Sequence, residues 1–181
     1  MRTFLLPLLL FLAAALAGCT SVQRAANLEF PRLAQFKLNS AAGMYQDWQA
    51  DYASSQRNEF LATFERTYVS DQWAPVIAFC VREYAAEKNF LCLLLTTSRN
   101  GHEGYTIVES SIDGKRQVLS SNNDRIVFNP TQPVRVRIDA TPEGLEFKVD
   151  GLRAYLSKGW PALNMLKLGC SSAACTIDTV E

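Results

Sequence analysis

Few side chains in the 181-residue chain stand where catalysis would use them. His102 and Glu103 lie in Asn100-Gly101-His102-Glu103-Gly104, and an imidazole beside a carboxylate can take and return a proton near neutral pH. The flanking glycines are also what a turn between strands requires, so a solvated loop histidine is the favoured reading. Glu109 and Asp113 are the nearest acidic spacing. Asp113, however, precedes Gly114, and Asp-Gly is the dipeptide of a tight hairpin turn. No Gly-x-Ser-x-Gly elbow, phosphate-cradling glycine loop or dinucleotide fingerprint occurs, so no catalytic residue and no cofactor is assigned.

Aromatic residues offer a better handle. Trp48, Trp73, Tyr105 and Trp160 stand near polar or turn residues, Trp73 and Trp160 close to Pro75 and Pro161. An exposed ring face is a platform for the C–H groups of a sugar, and these four are the candidate ligand contacts. Core packing at strand ends is the default reading for each. With 18 basic and 18 acidic residues the chain has no global field to attract nucleic acid, and none is expected as a partner.

The N-terminus reads as an address. Arg2 is followed by an apolar stretch from Phe4 to Ala17, broken only by Pro7 and shorter than the ~20 residues of a spanning helix. Leu16-Ala17-Gly18-Cys19 resembles the lipobox of bacterial lipoproteins. That resemblance implies cleavage of residues 1–18, diacylglycerol on the Cys19 sulfur, acylation of its new amino group, and anchoring without a span. Two or more acyl chains hold where one does not. Thr20 after the cysteine, in place of aspartate, implies the outer membrane, with the domain facing the periplasm. A plain secretory signal cut after Ala15-Leu16-Ala17 is the alternative. Residues 19–27 form a short tether and 28–181 the domain. After cleavage 17 basic residues remain against 18 acidic ones, a net charge of −1.

With Cys19 lipidated, Cys80, Cys92, Cys170 and Cys175 remain, an even number in an oxidising compartment. Two apolar runs flank Ala85-Ala86-Glu87-Lys88-Asn89, and pairing them symmetrically about residue 86 sets Cys80 opposite Cys92. Cys170 and Cys175 flank a loop, Ser171-Ser172-Ala173-Ala174. Zinc would need closely spaced cysteine pairs with further ligands, and His102 is the only histidine, so no metal site is assigned.

The body alternates with period two. Phe60, Ala62, Phe64 and Tyr68 oppose Thr63, Glu65 and Thr67, while Val134, Val136 and Ile138 alternate with Arg135, Arg137 and Asp139. Asp150-Gly151 predicts a hairpin pairing Val149 with Leu152, Phe147 with Ala154 and Leu145 with Leu156. Asp113-Gly114 predicts a second, between Tyr105–Ser111 and Lys115–Leu119. Helical spacing is confined to Gln23–Gln35 and Ala41–Tyr52, where short turns are expected. Eleven to thirteen strands in two antiparallel sheets packed face to face, an all-β sandwich, fit best; a closed barrel is the alternative.

From about Phe36 to Glu181 the order of features resembles the concanavalin A-like lectin and glucanase sandwich, especially its laminin-G-like members. The resemblance rests on Phe60–Val69 and Ala74–Val81, on Val134–Asp139 followed by Leu145–Gly151, and on a closing strand Cys175–Val180 like the terminal strand that ends beside the first. Retaining glucanases of this fold carry Glu-x-Asp-x-x-Glu, which this chain lacks. The resulting expectation is an outer-membrane lipoprotein with a non-catalytic sandwich that binds glycan or an envelope protein. A hydrolase acting on envelope saccharide and an assembly subunit of an envelope complex are the alternatives.

Overall fold

A computed structural model describes residues 35–51, 58–71, 73–83, 88–98, 101–120, 125–158 and 164–180. The expected signal segment, Cys19, the expected tether, the expected helical turn as far as residue 34, and Trp160 lie outside the described residues.

Eleven strands run in the order β1 (Gln35–Asp51), β2 (Asn58–Thr67), β3 (Val76–Arg82), β4 (Phe90–Thr97), β5 (Gly104–Ile112), β6 (Lys115–Val118), β7 (Val127–Phe128), β8 (Val134–Thr141), β9 (Gly144–Val149), β10 (Leu152–Lys158) and β11 (Met165–Val180). Every described pairing is antiparallel, and no described residue is helical. The path β10-β9-β8-β2-β11-β3-β4-β5-β6 is continuous, with β1 on the other edge of β11 and β7 on β5.

The two layers arise because β11 serves both. Its first half, 165–171, pairs with β3, and its second half, 173–180, pairs with β2. β2 and β3, neighbours in sequence, therefore belong to opposite layers, and the Phe60 and Phe79 rings meet between them at 5.4 Å. The first layer holds β10, β9, β8 and β2; the second holds β3, β4, β5, β6 and β7; β11 and β1 run through both as a bent ribbon.

At the bend four residues of β1, 41–44, stand opposite Ser172 alone, since pairing jumps from Ser40↔Ala173 to Tyr45↔Ser171. Gly43 (φ +72°) and Ser172 (φ +49°) take the left-handed conformation that turns the two strands together. The Gly43 N–H donates to Ser172 Oγ at 3.0 Å, and the Ser171 hydroxyl donates to the Met44 carbonyl at 3.0 Å. Residues 41–51 are thus strand, where helical turns were expected. Pairing of residues 45–51 with β11 satisfies their backbone and overrides the local spacing.

The bend also flips the alternation of β11. Leu166, Leu168 and Cys170 face the interior before it, and Ala173, Cys175 and Ile177 after it. Cys170 and Cys175, five residues apart and so on opposite faces of a straight strand, both point inward and are bonded. Their Cα atoms are 6.2 Å apart, against roughly 16 Å for five extended residues. The expected loop 171–174 is therefore a kink inside one strand. Cys80 and Cys92 pair directly in the β3–β4 register and are bonded on the outer face of the second layer, in agreement with the symmetric pairing about residue 86.

Both Asp-Gly turns form with positive φ at each residue: Asp113 +52° and Gly114 +80°, Asp150 +49° and Gly151 +81°. The β9–β10 register starts as expected, Leu152 opposite Val149 and Arg153 opposite Lys148, and then slips. A bulge at Ala154 sets Tyr155 opposite Phe147, Leu156 opposite Glu146 and Ser157 opposite Leu145. The pairings of Phe147 with Ala154 and Leu145 with Leu156 are thereby corrected. Ser157 is fully buried, and its hydroxyl bonds the N–H and C=O of Leu145, each at 3.1 Å, which satisfies a polar group at a core position.

Candidate functional site: two tyrosines on the outer face of the second layer

The strands of the second layer keep a common register, so rows of outward side chains can be read across it. One row runs Tyr45, Ser171, Val76, Thr96 and Tyr105 over β1, β11, β3, β4 and β5. Four strand spacings separate the two tyrosines, about 19 Å. Between and below them lie Gly169, Ala78, Leu94 and the Cys80–Cys92 bridge, a floor of small and apolar groups.

Tyr45 lies over this floor. A β-carbon on Gly169 would sit 2.1 Å from its hydroxyl oxygen, so only glycine lets the ring lie there. Lys167 Nζ is 5.0 Å from the centre of the same ring and ion-pairs with Asp47. Burial, then the Asp47 charge, push the Tyr45 phenol up to about 12, with Arg82 opposing. Its hydroxyl therefore remains a neutral donor and acceptor at physiological pH.

Tyr105, half-buried in β5, carries the Arg125 guanidinium over its ring at 4.9 Å. Glu109, buried on the same face, receives a two-pronged contact from Arg116, with Nε to Oε2 at 2.9 Å and Nη2 to Oε1 at 2.6 Å. Asp113 sits in its turn, where its N–H donates to Asn89 Oδ1 at 2.8 Å. Glu109 and Asp113 thus do not form a catalytic pair, the first being held by a cation and the second by a turn.

The remaining candidates are dispersed. Trp48 faces the interior, its ring 4.3 Å from Phe36 across the bent β1, and it packs on the main core. It is removed from the outer face because it stands opposite Leu168, whose side chain faces the core. Trp73 is 55% exposed at the corner beside Gly43. His102 is exposed in the turn between β4 and β5. Tyr45 is a site residue that sequence reasoning does not single out; Gly43, two residues before it, is the sign of a bend that the sequence offers.

The outer face of the first layer is a lattice of charge. Arg135 pairs with Glu59, Arg137 with Asp139, Lys148 with Glu146 and Asp139, and Arg153 with Glu146. Asp139 and Glu146 are directly opposed in register, the arrangement two catalytic carboxylates would need. Hydrogen bonding from Lys148, joined by Arg153 and opposed by burial, lowers the Glu146 pKa and keeps it ionised, whereas a general acid needs the opposite shift. Among the described residues no group of three His, Cys, Asp or Glu side chains could hold a metal ion, and no helix is long and apolar enough to cross a membrane.

No protein-family model matches the chain, and no curated protein does. Solved structures do. A carbohydrate-binding module from Bacillus subtilis matches at TM-score 0.48 and 9% identity, over 80% of this chain and 86% of its own. A β-glucanase from Bacillus licheniformis matches at 0.49 and 9%, over 81% and 75%. An endo-acting O-glycanase of the human gut microbiota matches at 0.50 and 11%, over 81% and 76%. Together with the strand order, the last of these likenesses shows the fold: an antiparallel β-sandwich of jelly-roll type.

Proposed function

We propose that the mature protein is a lipid-anchored lipoprotein of the bacterial outer membrane whose sandwich binds glycan on the outer face of the second layer. The observation that carries the binding half is the pair Tyr45 and Tyr105, set at the two ends of one row over a floor of small residues. Aromatic rings supply apolar faces, and the ion-paired Asp47, Lys167, Glu109 and Arg116 beside them supply fixed polar groups. The gut O-glycanase of similar fold acts on a glycan, which supports the ligand class by analogy of fold. The anchoring half is supported by Leu16-Ala17-Gly18-Cys19.

An envelope protein is the second reading, and the exposed Met44, Val69 and Trp73 favour it. Glycan-array binding of the full chain decides between them. Tyr45→Ala and Tyr105→Ala should each weaken the signal about tenfold, and unaltered binding in both variants would remove this face from the reading. Cys19→Ala should move the protein from the membrane fraction to the soluble periplasm; an undiminished membrane pool would overturn the anchor.

A further inference from the structure

We propose that this face selects saccharides bearing a carboxylate, with Arg125 as the residue that receives the acid. The inference rests on the glycan-binding reading and names its substrate class. The cations Lys167 and Arg116 on the same face are each matched by a carboxylate, Asp47 and Glu109. Arg125 has no ion pair among the described residues: its guanidinium stands 4.9 Å from the centre of the Tyr105 ring, and its buried Nε has no hydrogen-bond partner. A guanidinium is charged at every physiological pH, and leaving one of its donors buried and unmatched is costly.

The backbone aims it at the ligand face. The Ile126 N–H donates to Thr106 Oγ1 at 3.0 Å, the Ile126 carbonyl accepts from the Thr106 N–H at 3.0 Å, and the Ile126 side chain packs on the core. Alternation then turns Arg125 to the outside, over Tyr105. A guanidinium held over a ring can present its terminal Nη groups edge-on, in the plane where a carboxylate accepts two parallel bonds. A uronate or sialate packed beside Tyr105 and Arg125 would bring its acid to that edge. A neutral sugar would find the ring and leave the charge unanswered.

The test uses the full chain and an array in which galacturonate, glucuronate and sialate oligosaccharides are each printed beside their methyl esters, which remove the charge at the cost of one added methyl group. Wild type should bind at least one acid about tenfold or more tightly than its ester. Arg125→Gln should bring the acid down to the affinity of the ester, and Arg125→Lys, which keeps the charge without the planar fork, should fall between. A thermal melt of each variant separates loss of binding from loss of fold, the lysine variant serving if the glutamine variant does not fold. Equal affinity of wild type for acid and ester, or an equal fall for both in the variants, overturns the inference. Neutral glycans bound through Tyr45 and Tyr105 with no acid preference would overturn it and leave the glycan reading standing; an array silent for every saccharide removes both.

Discussion

Tyr45 covers Gly169 so closely that one added methyl group would reach its phenol oxygen at 2.1 Å. The obstacle is the far end of a side chain that is 46% exposed, and so has room to swing away. Gly169→Ala should therefore fold, with a stability change of about 1 kcal/mol or less, and lose glycan binding with Tyr45 displaced. Displacement also relieves the burial that raises the phenol, so its pKa should fall from about 12 toward the ordinary 10.0. Absorbance titration of the tyrosines checks this; an unchanged titration with lost binding would show that Tyr45 stays in place.

Gly144 is the contrasting case. Its φ of +146° suits glycine alone, and a β-carbon there would meet the Ser157 carbonyl oxygen, a backbone atom, at 1.6 Å. Neither strand of the β9–β10 hairpin can yield without breaking the pairing of Gly144 with Lys158. Gly144→Ala should destabilise the domain by about 3 kcal/mol or more, read as a lower midpoint in chemical denaturation. A midpoint within error of wild type would show that the hairpin end is plastic.

The two bridges close loops of different length and should differ accordingly. By loop closure, replacing Cys80 and Cys92 together by alanine should cost about 3 kcal/mol, and Cys170 with Cys175 about 2, and loss of packing at two buried side chains adds to each. Peptide mapping without reductant should recover 80 joined to 92 and 170 to 175. A peptide joining 80 to 170 would contradict the β3–β4 register.

Acid should loosen the first layer through Glu146. Its pKa in the folded state lies below the ordinary 4.5, chiefly because Lys148 and Arg153 bond to its carboxylate. The stabilisation is thus fully present above the unfolded value and is lost as pH falls through the folded one. Glu146→Gln should be less stable than wild type at pH 7, and the difference should shrink below about pH 4. Denaturation midpoints against pH test it; a constant difference down to the acid limit would mean that the carboxylate's charge is not what matters.

Much of this organisation was legible because period-two alternation and turn chemistry are local. Val134, Val136 and Ile138 reach the core as their spacing requires, Asp113-Gly114 and Asp150-Gly151 form the hairpins their dihedral preferences demand, and Cys80 meets Cys92 because one short connection sets the register. The closing strand lies beside the first, in line with the family resemblance. What local pattern does not carry is an interruption whose cause lies on another strand. The bend at Gly43 and Ser172, the inward turn of both Cys170 and Cys175, and the bulge at Ala154 each depend on pairing with a partner distant in sequence. The same holds for the candidate site. The sequence by itself determined the all-β character and the positions of the hairpin turns, since each is written in neighbouring residues. Only the tertiary structure decided that Trp48 turns inward while Tyr45 and Tyr105 share one outer row, because a row across a sheet is made by the register of five strands and is encoded in none of them.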